Sequence, residues 1–478
     1  MRTAVILAAG DGTKLWPYGE IRPKALIPVG GTPTIGILIE QLEEAGFEQV
    51  IVAVGTMGEQ VVHYLQRREH SARIESSATP GIAVTIVRTN ANAGPRGTAY
   101  TLAAAGKQLG DEPFLVLYGD TVLESSDIAR LVIAFDKALV ADSSAIAAAL
   151  VSPLGKEASQ DWICCRVAGD RAELIMGHPR EAFTHRFCAF AFTRHILPYC
   201  AANSGIFSSV QVGMMPPLEG HLEMSLADWT GDGHPLIAVE TEGAFFDIDK
   251  PWHILQANEW RTRQRCEAQQ SHELAEGATI DATASIRGYV RLGPNSRIGR
   301  NVTIEGNIIV GSNTTIENGA ILQGSHVIGD DTYIGNYCYL AAGSTVGNRC
   351  VISHCAELEG MIMDNVYLYH YMEIYGVVGT GTDIGAATVC GSLRFDDGSA
   401  PHRIKGRKET PRECANAVFI GDYARTGVNA VLMPGVKVGV NSVVGPGVVL
   451  YEDLPSRQIV TVKQELTYKP WGPERYGW

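Results

Sequence analysis

Short apolar runs alternate with helix-favouring stretches over the first half of the chain, and an aliphatic residue recurs every sixth position over the second half. With the abrupt change of texture between them, these patterns predict two domains: an α/β domain whose mostly parallel sheet is Rossmann-like, then a parallel β-helix. The β-branched runs of the first domain fall at Ala4–Leu7, Gln49–Val54, Val84–Val87, Phe114–Leu117 and Ile146–Leu150, with room for a covering helix between them. This domain is assigned to residues 1–260. A polar, helix-favouring stretch without turn signals begins at Lys250, and its part from 261 to 273 is read as a helix connecting the domains.

From Leu274 the aliphatic residue returns at Ile280, Ile286, Leu292, Ile298 and Ile304, and stays in register as far as Leu358. This period points one aliphatic side chain per short strand into a triangular prism. Gly293, Gly299, Gly311, Gly329, Gly335 and Gly347, each just after its aliphatic residue, are expected to let the chain turn the corners. The frame slips near Met361, resumes at Val378 and Ile384, and is interrupted over 390–418 by a polar, basic excursion. It restarts at Ile420, so the repeat domain is placed at 274–460, followed by an aromatic, Pro-rich tail over 461–478.

The chain has 478 residues and a net charge of −13, which argues against a nucleic-acid partner while allowing a local cationic pocket. No apolar run is long enough to span a bilayer, so no membrane association is expected. The ten cysteines show no metal-type spacing and read as buried free thiols. The start of the chain enters the first strand without a basic leader, which places the expected location in the cytoplasm.

Residues 7–29 join an apolar strand, a glycine-turned loop and two lysines, a combination suited to a polyphosphate. Ala8, Ala9, Gly10 and Gly12 keep side chains away from amides that can face phosphate oxygens, and Lys14 and Lys24 supply positive charge. A dinucleotide fingerprint needs a glycine where Leu15 stands, and the Gly-Lys-Ser/Thr of a P-loop is absent. Instead the run resembles the signature of sugar-1-phosphate nucleotidylyltransferases, Gly-x-Gly-Thr-Arg/Lys-Leu followed by Pro-Lys-x-x-x-Pro, here with Pro23, Lys24 and Pro28. The hexad region is similar to the left-handed β-helix of hexapeptide-repeat proteins. The two together resemble bifunctional nucleotidylyltransferase/acetyltransferases, from which the handedness is taken.

The resemblance implies Mg²⁺-dependent nucleotidyl transfer from an NTP to a sugar 1-phosphate, with an NDP-sugar and pyrophosphate as products. It implies Lys14 and Lys24 as catalytic cations, and Leu7, Ala8, Ala9, Gly10, Gly12, Thr13, Asn92, Gly97 and Thr98 as the nucleotide site. Asp120 of Leu-Tyr-Gly-Asp and Asp247 of Phe-Phe-Asp-Ile-Asp would hold the metal, Asp249 being set aside as the weaker choice. It also implies a homo-oligomer, a trimer or a multiple of it, assembled through the prism faces.

The sugar-facing motifs depart from the pattern. Gly177-His178-Pro179 stands for Glu-Lys-Pro, and Phe187, Cys188 and Ala189 for Asn-x-Gly, so His178 or Arg180 is expected to replace the missing lysine. Two alternatives follow: a non-catalytic, nucleotide-binding regulatory relative, and an acetyltransferase acting through His370 and Lys405 of the β-helix.

Overall fold

The computed structural model describes residues 1–75, 81–89, 96–141, 146–155, 159–205 and 219–473. It divides into two compact units, Met1–Arg265 with Ile404–Gly406, and Cys266–Arg403 with Arg407–Trp478.

The first unit is built on a nine-stranded sheet. Strands Ala83–Arg88, Gln49–Val54, Thr3–Ala8 and Phe114–Tyr118 lie side by side and parallel, in that order. They are parallel because helices intervene, and the three inside the edge strand Ala83–Arg88 are largely buried on both faces because both faces are covered. Ala4, Ile6, Val50 and Val52 pack toward Ile35, Leu38 and Leu42, whereas Val5, Leu7, Ile51 and Ala53 pack toward Leu102 and Leu109. Beyond Phe114–Tyr118 the sheet turns mixed: His185–Phe192 joins antiparallel and in turn pairs antiparallel with Ala147–Pro153. The chain order reverses at Thr3–Ala8, whose neighbours on the two sides are Gln49–Val54 and Phe114–Tyr118. A crevice is expected at the carboxyl ends of strands at such a switch point, and both the glycine loop and Asp120 emerge there.

The helix predicted at 261–273 instead spans Pro251–Glu267. Proline at the first helical position lacks only an N–H that the helix would leave unused, so Pro251 opens it, at the start of the helix-favouring stretch read from Lys250. The continuation expected to 273 is cut short where the Gln269 N–H bonds the Cys266 carbonyl and the strand Glu273–Leu274 begins.

The second unit is the left-handed parallel β-helix. The hexad residues from Leu292 to Leu358 form its core, with Ile280 and Ile286 partly buried and Leu274, on the terminal coil, half exposed. The glycines after the aliphatic residues do not make the corners. The left-handed residue lies three positions past the aliphatic one, at Asn295, Asn301, Asn313, Asp331 and Tyr337. Asn and Asp adopt that conformation at the least cost among side-chain-bearing residues, and Asn295, Asn313 and Asp331 also hydrogen-bond from coil to coil. Gly293, Gly311 and Gly329 are small because the next coil passes too close: a Cβ on Gly329 would lie 2.7 Å from the Gly347 backbone.

The frame slip near Met361 is a shortening of the coil rather than a break. Thr315 pairs with Tyr333, and its neighbour Asn313 bonds Asp331 across eighteen residues. Thr345, by contrast, pairs with Met361, and Asn348 bonds Asp364 across sixteen. Strands Glu357–Ile362 and Glu373–Val378 run straight through a corner, so Ile362, Leu368 and Ile374 keep the prism filled where the hexad count fails. The chain leaves after Val389–Cys390 and returns at Val418–Ile420.

All ten cysteines are free, and only Cys355 and Cys414 are not fully buried. No helix among the described residues is long and apolar enough to cross a membrane.

His326 is fully buried, with Nδ1 3.2 Å from the Ser344 carbonyl, and burial pushes its imidazole down from 6.5 to about 4. Between those values the unfolded chain binds a proton that the folded state refuses, so stability is complete above about pH 6.5 and is lost as the pH falls toward 4. The shift corresponds to a loss on the order of 3 kcal/mol. Calorimetric melting should therefore fall more steeply between about pH 7 and pH 4.5 for the wild type than for His326→Gln, and parallel profiles would discount the imidazole.

Candidate active site

Residues distant in sequence meet at the carboxyl edge of the sheet through two short connections. The Gly119 N–H bonds the Leu7 carbonyl at 2.9 Å, tying the loop before Asp120 to the first strand. The buried Thr34 hydroxyl lies 2.8 Å from the Gly119 carbonyl and 3.0 Å from that of Ala25, beside Lys24 in the turn Lys24–Leu26. Strand Phe245–Asp247 pairs antiparallel with Thr121–Leu123, setting Asp247 opposite Thr121, and the Ile248 N–H bonds the Asp120 carbonyl at 2.9 Å. That register delivers Asp247 next to Asp120.

The result is a crevice of about 650 Å³. Of the residues singled out in sequence, Leu7, Ala8, Ala9, Gly10, Lys14, Lys24, Gly97, Thr98, Asp120, His178 and Asp247 line it. Gly12 and Thr13 are not among its walls. Gly12 turns the loop at φ 64°, and a Cβ there would lie 3.2 Å from Lys24 Cγ, so it shapes the wall from behind. Asn92 lies outside the described residues. Arg180 is exposed and outside the crevice: His178 takes a left-handed conformation, Pro179 packs inward, and the next side chain is turned to solvent. On the β-helix, His370 stacks on His354 at 4.9 Å; Lys405, which groups with the first unit, occupies an exposed left-handed turn between His402–Ile404 and Arg407–Glu409.

The charges are tightly arranged. Lys24 Nζ lies 2.8 Å from Asp249 and 3.4 Å from Asp120, and Lys14 Nζ lies 3.1 Å from the other oxygen of Asp249. Burial alone would pull Lys24 down, but Asp249, Asp120 and Asp247 outweigh it and hold the ammonium above its ordinary value. Burial would likewise raise Asp249, yet Lys24 and Lys14 hold it well below the usual carboxylate range. Asp247 has the opposite fate, pushed up to about 7 by burial and by the neighbouring carboxylates Asp120 and Asp249.

Residues 4–240 match the MobA-like NTP transferase domain, residues 325–360 the bacterial transferase hexapeptide, and residues 289–323 and 417–452 the hexapeptide repeat of succinyl-transferase. The chain thus carries a MobA-like NTP transferase domain followed by hexapeptide repeats. Several relatives match along nearly the full length. A protein of Methanococcus vannielii called bifunctional protein GlmU is 26% identical over 98% of this chain and 99% of its own. The protein of the same designation from Methanococcus maripaludis is 29% identical over 97% and 98%. A bifunctional sugar-1-phosphate nucleotidylyltransferase/acetyltransferase of Sulfurisphaera tokodaii is 24% identical over 91% and 94%.

The transferase domain also places in the crevice residues that sequence reading passed over. Asp249 was legible as a second carboxylate two residues past Asp247, and it reaches the crevice through the turn that its N–H closes on the Asp247 carbonyl at 2.9 Å. Arg186 was not. It sits in an otherwise apolar strand, its guanidinium 4.0 Å from the Trp162 ring centroid and 4.8 Å from that of Phe245. Phe187, Cys188 and Ala189 lie in that same strand at a shift of register, which sends Phe187 to the crevice and both Cys188 and Ala189 to the opposite core. The Tyr118 hydroxyl donates to the buried Glu223 at 2.6 Å on the same wall.

Gly97 precedes helix Thr98–Ala105 at φ 118°, and a Cβ there would come within 2.3 Å of the Gly220 carbonyl oxygen. Gly97→Ala should cost roughly 2 kcal/mol through strain and displacement of Gly220. A urea melt checks this, and an unchanged midpoint would show that residue 220 yields freely.

Proposed function

We propose that the crevice transfers a nucleotidyl group from an NTP to a sugar 1-phosphate, expelling pyrophosphate. The observation that carries this reading is the convergence of Lys14, Lys24, Asp120 and Asp247 at the switch point of the sheet. The full-length match to a relative named for sugar-1-phosphate nucleotidylyl transfer supports it. The reaction requires an acceptor oxygen in line with the α-phosphorus and neutralisation of the charge passed to pyrophosphate, so positioned cations suffice without a protein nucleophile.

In this reading Lys24 and Lys14 face the triphosphate, and the loop at Ala8–Gly10 offers backbone amides to it. Gly97 and Thr98, at the start of a helix, stand on the wall assigned to the nucleoside. Asp120 and Asp247 are assigned to Mg²⁺. They fit it: both are hard oxygen donors, and the elevation of Asp247 reflects carboxylate crowding that a divalent cation would relieve. When bound, the ion supplies charge neutralisation at the phosphates. On the acceptor side His178 stays in place as a candidate and Arg186 replaces Arg180 as the cation lining the crevice.

We further place the protein in the cytoplasm, consistent with ten unpaired cysteines. A trimer through the β-helix is consistent with the partly exposed Tyr333, Tyr367 and Tyr369 on its surface. A second reading, acetyl transfer by the β-helix near His370, draws on the bifunctional names of the relatives, and consumption of acetyl-CoA with an amino-sugar phosphate tests it.

Pyrophosphate release over a matrix of NTPs and sugar 1-phosphates should find at least one productive pair, and Asp120→Asn should reduce turnover of that pair by about a hundredfold or more. Nucleotide binding without turnover anywhere in the matrix would favour the regulatory alternative, and full activity of the variant would remove the metal assignment.

A further inference from the structure

We infer that Asp249 is a built-in counter-ion to the two phosphate-facing lysines, so that a triphosphate binds tightly only when a divalent cation accompanies it. The inference rests on the nucleotidyl-transfer reading of the crevice and deepens it by assigning a residue that controls the form of nucleotide accepted.

The geometry is that of a bridge. One oxygen of Asp249 meets Lys24 at 2.8 Å and the other meets Lys14 at 3.1 Å, so a single carboxylate satisfies both cations. Its side chain is 14% exposed, whereas Lys14 reaches outward at 38%. Its backbone is held as well, with the N–H 3.3 Å from His253 Nδ1 and 2.9 Å from the Asp247 carbonyl, just ahead of helix Pro251–Glu267. A carboxylate so anchored is ready to compete with phosphate oxygens for the same donors, since both are anionic acceptors that make charge-assisted bonds with lysine.

Charge balance sets the consequence. Lys14 and Lys24 face three carboxylates, Asp120, Asp247 and Asp249, so the acidic side chains outnumber the two lysines they surround. Elsewhere on the wall, Arg88 and Arg96 are themselves paired, with Glu59 and Asp11. A metal-free triphosphate must displace Asp249 from the lysines while approaching Asp120 and Asp247. Asp120 and Asp247 would hold a divalent cation whose positive charge, added beside the lysines, would favour the exchange of Asp249 for phosphate oxygens. Asp249 thus acts as a positioning residue through the lysines.

Isothermal titration calorimetry with ATP, CTP, GTP, UTP and dTTP, in EDTA and in excess Mg²⁺, tests this on the full chain. The wild type should bind its preferred nucleotide at least about a hundredfold more tightly with Mg²⁺ than in EDTA. Asp249→Asn should gain at least about tenfold in EDTA with a much smaller change in Mg²⁺, and Asp249→Ser should do the same, which separates loss of the carboxylate from any effect of the new amide. A wild-type ratio near one overturns the inference whatever the variants do. Equal weakening of both variants in both conditions overturns it in favour of a purely structural ion pair. Absence of nucleotide binding by the wild type even with Mg²⁺ would instead remove the nucleotidyl-transfer reading, and this inference with it.

Discussion

Three residues of antiparallel pairing, Phe245–Asp247 against Thr121–Leu123, bring the carboxylates of the crevice together. A long stretch of the first domain separates these segments along the chain. The pairing places Asp247 beside Asp120, and the turn that follows carries Asp249 between Lys14 and Lys24. The parallel sheet is the platform for this arrangement, because its switch point opens the space in which loops from several strands converge.

The crevice is organised by charge as much as by shape. Burial works against each ionised group, and each is retained by a partner: Lys24 by Asp249 and Asp120, Asp249 by both lysines. Asp247 is the member left without adequate compensation, and its elevated pKa expresses that imbalance. Arg186 is held in another way, its guanidinium against the rings of Trp162 and Phe245. That arrangement suits an environment less polar than the missing Glu-Lys-Pro and Asn-x-Gly motifs would have provided.

The β-helix shows how far a repeat can be read. The hexad register identified its core residues, because each inward position needs an aliphatic side chain regardless of its neighbours. The roles of the intervening residues were less legible. Glycine after the aliphatic residue serves the close approach of the next coil, whereas the left-handed corner falls to Asn, Asp or even Tyr three positions on. Where strands Glu357–Ile362 and Glu373–Val378 pass straight through a corner, the count drops but the prism stays filled.

From its sequence alone this chain declared two domains, the buried strands of the first, the inward face of the second, and the glycine and lysine loop of the crevice. These features repeat locally or occupy one continuous segment, so periodicity and spacing suffice to expose them. Only the tertiary structure decided that Asp249 bridges the lysines, that Arg186 rather than Arg180 lines the crevice, and that the connecting helix ends at Glu267. The first two depend on single side chains from separate segments meeting across strand registers, and pairing of that kind leaves no local signature. The helix boundary depends on which of several compatible turns the packed chain adopts.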